Sequence, residues 1–105
     1  MSSKVFLIHE TGLHNFPPAK KFGEITVLLP PRHQVGFDPT WSIEKLKEGL
    51  KWCSPKDYII LAGDPALIGM AVAIAANFCD GQINLLKWDK QEKVYIPIKC
   101  DLYRR

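Results

Sequence analysis

Residues 57–79, DYIILAGDPALIGMAVAIAANFC, constrain the fold of this chain more than any other stretch. The run 57–63 is short, continuous and apolar, as expected of a central parallel strand covered on both faces. From Pro65 to Cys79 there is then no charged residue. That segment is shorter than the roughly 20 residues needed to cross a bilayer, so it predicts a helix buried on most sides. Ala66, Ala71, Ala73, Ala75 and Ala76 are small enough for close packing. Asp64 caps the helix with Pro65 at its first position, and Asp80-Gly81 stops it, Gly81 being suited to the left-handed cap position.

The rest of the chain supplies the partners of this strand–helix unit. KVFLI (4–8) reads as a first strand, followed by a loop over 10–23 punctuated by Gly12, Pro17-Pro18 and Gly23. EITVLL (24–29) is a second strand, halted by Pro30-Pro31. A first amphipathic helix follows, capped by Asp38 or Thr40, with Ile43, Leu46 and Leu50 at helical spacing. Its wet face sets Glu44 against Lys47 and Glu48 against Lys51. QINLLKW (82–88) and KVYIPI (93–98) flank DKQE as a hairpin, with Pro97 marking an edge strand. Residues 101–105 are expected to form a loose tail. The order β-β-α-β-α-β-β predicts a single α/β domain over 1–105. Its sheet is expected to be small and Rossmann-like or flavodoxin-like, with three parallel strands (24–29, 57–63, 82–88), two helices and a C-terminal antiparallel hairpin edge.

Four stretches are candidates for chemistry. Gly63 and Asp64 end a central strand and open a helix, the place where open α/β sheets bind ligands. The turn lacks the glycine pattern and lysine of phosphate loops, and Asp64 competes with an anion for the helix N–H groups; it suits a ribose hydroxyl or a cation better. Arg32 and His33 follow the second strand and belong to the same sheet edge, where Arg32 suits a carboxylate or phosphate. Lys87, Trp88, Lys90, Lys93 and Tyr95 interleave basic and aromatic residues around the hairpin, a surface able to bind single-stranded nucleic acid. Finally, His9-Glu10-Thr11-Gly12-Leu13-His14 resembles HExxH, but its histidines are five apart and do not share a helix face; no metal and no cofactor are expected.

Composition narrows the rest. At 105 residues, 47% hydrophobic and 24% charged, the chain is long enough for one core and too apolar for global disorder. A formal charge of +3 is too small to indicate nucleic-acid binding by itself. Cys53, Cys79 and Cys100 are odd in number, far apart and without a CxxC, so free thiols packed in a cytoplasmic protein are expected. No catalytic serine motif, acidic dyad or Cys–His pair is visible. An uncharged helix is hard to bury in so small a domain, which points to a homodimer through helix 65–79.

The blocks VLLPPRHQVGFDPT, DYIILAGDPALIGMAVAIAA and GQINLLKWDKQEKVYIPIKCDL resemble small proteins of tailed phages of marine bacteria. The likeness covers about 24–102. It implies a phage accessory protein acting on a host or phage macromolecule, and it assigns no catalytic residue. A nucleotide-binding or nucleotide-processing protein is the second expectation, and single-stranded nucleic-acid binding the third.

Overall fold

The computed structural model describes residues 3–9, 17–29 and 39–104. In chain order the elements are β1 (Lys4–His9), a 3-10 helix η1 (Pro17–Phe22), β2 (Glu24–Leu29), α1 (Pro39–Leu50), β3 (Tyr58–Ile60), α2 (Pro65–Phe78), β4 (Gln82–Asp89) and β5 (Val94–Asp101). They form one five-stranded sheet in the order β2-β1-β3-β4-β5.

Four strands are parallel, not the three expected: β1 lies between β2 and β3 and is parallel to both. Its residues Val5, Phe6, Leu7 and Ile8 are buried, which only an interior strand with both faces covered achieves. The segment between β1 and β2, containing η1, is long enough for the crossover that a parallel pair needs. β5 runs antiparallel to β4, as expected, and forms one edge. It extends to Asp101, beyond the sequence limit of 98. Leu102 N–H donates to the Gly81 carbonyl at 2.8 Å, which holds the start of the tail.

Strand order explains the layers. The chain moves in one direction from β2 to β3 and again from β3 to β4, but in the opposite direction from β1 to β2. Right-handed crossovers then put α1 and α2 on one face and η1 on the other. The packing matches: α1 and α2 share a core with Phe6, Ile8, Ile59 and Ile83. Ala19 and Phe22 of η1 pack with Val5, Leu7, Ile60, Leu86 and Tyr95 on the opposite face.

Both helices follow their sequences. α1 begins at Pro39 and buries Ser42, Leu46 and Leu50; Asp38 lies outside the described residues. The ion pair on its wet face is Lys45–Glu48 at 3.8 Å rather than either pair expected. Asp64 caps α2, its Oδ1 accepting from Ala66 N–H at 2.8 Å. α2 buries Leu67, Ala71, Ala75 and Ala76 within this one chain, while Gly69 and Ala73 face outward. At its end Asp80 takes the first left-handed position, with φ 54°, and Gly81 follows at φ 81°. Gly81 N–H donates back to Ala76 at 2.7 Å, the closing bond of a Schellman cap. No helix among the described residues is long and apolar enough to cross a membrane.

Candidate functional site

The parallel strands end together at one edge. There the strand order reverses around β1 and β3, and in open α/β sheets the crevice beyond such a reversal is where ligands sit. Gly63 and Asp64 are brought to this point. Gly63 has φ 112°, a conformation that side chains resist, and a Cβ there would lie 2.8 Å from His9 Nε2. The close approach is with His9, the last residue of β1, whose Nε2 accepts a long 3.5 Å hydrogen bond from Asp64 N–H. A ring nitrogen that accepts leaves the other to carry the hydrogen of a neutral imidazole. His9 is only 8% exposed. Its Nδ1 has no hydrogen-bond partner among the described residues, an uncommon state for a buried polar atom. Arg32 and His33, expected at the same edge, lie outside the described residues, as do Glu10 and His14. His9 belongs to the HETGLH stretch, which in sequence reads as a loop; the structure makes His9 the last residue of β1. The available signal was its position at the end of a strand too apolar to sit at an edge.

The hairpin candidates divide between two faces. Trp88 and Tyr95 pair across the strands, ring centroids 4.9 Å apart, and Tyr95 is only 4% exposed. Burial raises the pKa of the Tyr95 phenol. The two rings are part of the core under η1. Lys87 is exposed on the other, helix-covered face, opposite Ile96, and Lys90 and Lys93 are exposed at the tip. The tip is ordered by Asp89, whose Oδ1 accepts from Gln91 N–H at 2.9 Å, and by Lys93 at φ 55°.

An apolar row was not anticipated there. Ile83 and Cys100 pair at the helix-covered face, so alternation puts Ile98, Ile96 and Val94 on that same face. They are 38%, 42% and 38% exposed. α2 packs over β4 and stops short of this row. Phe78, at the end of α2, is exposed as well. The signal in the sequence was the alternation Val94-Tyr95-Ile96-Pro97-Ile98, in which Tyr95 belongs to the opposite core and Pro97 lies exposed on that opposite face.

The opposite, amino-terminal edge is structural. Asp57 accepts from Lys4 N–H and Ser54 N–H, each at 2.8 Å, and Asn84 Nδ2 donates to the Pro55 and Asp57 carbonyls. The Cys53 and Cys79 sulfurs lie 3.1 Å apart. Burial, then the hydrogen bond and charge of Cys79, push the Cys53 thiol from 9.0 up to about 12. Such a thiol is a poor nucleophile. Among the described residues no three His, Cys, Asp or Glu side chains gather as a metal site.

A family model described as phage Pam3 gp32-like protein matches residues 3–102. No curated protein and no solved structure matches the chain.

Proposed function

The chain belongs to the phage Pam3 gp32-like protein family, and from that premise we propose that this phage accessory protein works by binding, as a homodimer, a host or phage protein in the cytoplasm of the infected cell. The observation that carries the reading is the exposed row Val94, Ile96 and Ile98, with Phe78 exposed as well at the end of α2. A contiguous apolar row on a folded domain is a characteristic interaction surface. Lys87 lies within the row, opposite Ile96, and Lys93 immediately precedes Val94, whereas Lys99, opposite Asn84, belongs to the other face. The partner that fits is a protein presenting an apolar ridge bordered by acidic side chains. The packed Trp88–Tyr95 pair argues against single-stranded nucleic acid, since stacked bases need open rings.

The test is a photocrosslinking residue at position 96 in infected cells, with position 47 on α1 as control. A protein captured from 96 alone is then purified and titrated. Ile96→Asp should weaken its binding at least about tenfold, as loss of an interface anchor does. Binding unchanged by Ile96→Asp and Ile98→Asp in folded protein overturns the reading.

A second reading has its own observation. The orphaned Nδ1–H of His9, the switch in strand order and the capped start of α2 support a small ligand at the carboxyl edge. A ribose hydroxyl, accepting from His9 and donating to Asp64, fits these groups better than a phosphate. The order β2-β1-β3-β4 supports the Rossmann-like or flavodoxin-like description that goes with it. A nucleoside that raises the melting midpoint of wild type but not of Asp64→Ala favours this second reading; no shift with any nucleoside counts against it.

A further inference from the structure

The two edges of the sheet are finished differently. β5 contains Pro97 and Lys99, residue types that discourage strand-to-strand pairing. β2, at the other edge, carries its only charge at its first residue, Glu24: the rest, Ile25–Leu29, is ITVLL, without charge, proline or glycine, and Val27 is exposed. β2 pairs with β1 alone among the described strands, so no described strand takes up its outer N–H and C=O groups.

Beside that edge runs an open groove of about 490 Å³ between β2 and α1, lined by Thr26, Val27, Leu28, Trp41, Lys45 and Glu48. The helix side of the groove has a pattern. Trp41, Lys45, Glu48 and Trp52 follow one another at spacings of four, three and four, one helical flank continued into the turn after α1. The series is symmetric about the point between Leu46 and Lys47. Laid antiparallel on a copy of itself, it sets tryptophan against tryptophan and lysine against glutamate. Trp52 is 77% exposed in the single chain, an unusual place for the largest side chain.

We propose that the β2–α1 face binds a second copy of this chain about a two-fold axis perpendicular to the sheet, with β2 antiparallel to β2 and Lys45 of each copy opposite Glu48 of the other. One axis serves both contacts: it joins the sheets edge to edge and keeps both helix layers on the same side. A cation and an anion placed symmetrically about a centre make the face complementary to itself, which selects a second copy over an unrelated protein. The inference rests on the homodimer named above but places it on a different surface from the Val94–Ile98 row, so the two fail separately.

Sedimentation equilibrium of the full chain over roughly 1–100 µM should give twice the chain mass of 11.9 kDa. Lys45→Glu and Glu48→Lys should each weaken association at least about tenfold, by facing like charges. The double variant K45E/E48K should restore it. Because the swap also rebuilds the Lys45–Glu48 pair within α1, the melting midpoint of each single variant, measured below the dissociation constant, should stay within a few degrees of wild type, which separates lost association from a damaged helix. Trp52→Ala, at a position too exposed to threaten folding, should weaken it too, while Ile96→Asp should leave the dimer intact. A monomer throughout overturns the proposal. So does a dimer indifferent to both Lys45→Glu and Trp52→Ala, or one broken instead by Ala73→Glu on the outer face of α2, the surface first expected to pair.

Discussion

Gly63 and Cys53 show how single residues carry the strain and the chemistry of the two sheet edges. Gly63→Ala must hold φ 112° with a Cβ 2.8 Å from the His9 ring, so denaturant unfolding should show a loss of about 1–3 kcal/mol. Cys53 links stability to pH. Its thiol ionises near 9.0 when unfolded and near 12 when folded. Above pH 9 the unfolded chain therefore binds fewer protons than the folded one, and stability falls as pH rises from 9 towards 12. The raised phenol of Tyr95 acts in the same direction. Melting curves across that range should decline less steeply for Cys53→Ala than for wild type. Gly63 and Asp64 were legible at this scale because a capped turn is written locally. His9 was not, because its significance depends on a neighbour 55 positions away.

At the scale of elements, α2 was the most legible part of the fold. Its lack of charge, its Asp-Pro start and its Asp-Gly stop are all local signals, and the observed helix begins at Pro65 and ends one residue short of the expected Cys79. The cap gives a direct check: Asp64→Ala removes the acceptor for Ala66 N–H and should cost about 0.5–2 kcal/mol, read from the unfolding midpoint. Asp64→Asn should keep most of that stability. The strand β1 was recognised as a strand but left out of the parallel set. Its partners β2 and β3 are chosen by long-range pairing, and nothing within KVFLI states which neighbours it takes. Once β1 is central, the placement of both helices on one face follows from the direction of each crossover.

For the whole molecule, one face of the sheet is roofed by α1 and α2, yet the roof reaches β5 at Cys100 and leaves Val94, Ile96 and Ile98 exposed. The family membership establishes a phage protein, and the uncovered row gives the binding reading its location. Because Ile96 is already 42% exposed, Ile96→Asp should change folding stability by no more than about 0.5 kcal/mol while weakening partner binding. Composition was a poor guide here. The row is three residues alternating with the buried Tyr95 and the exposed Pro97, invisible in any average, and it stands out only when the register with β4 assigns each side chain to a face. The most direct measurement is a backbone amide NMR titration of the labelled chain with the partner captured from position 96. The account predicts shifts concentrated on 94–98 and around Phe78. Shifts centred instead on His9, Gly63 and Asp64, with β5 unmoved, would contradict it.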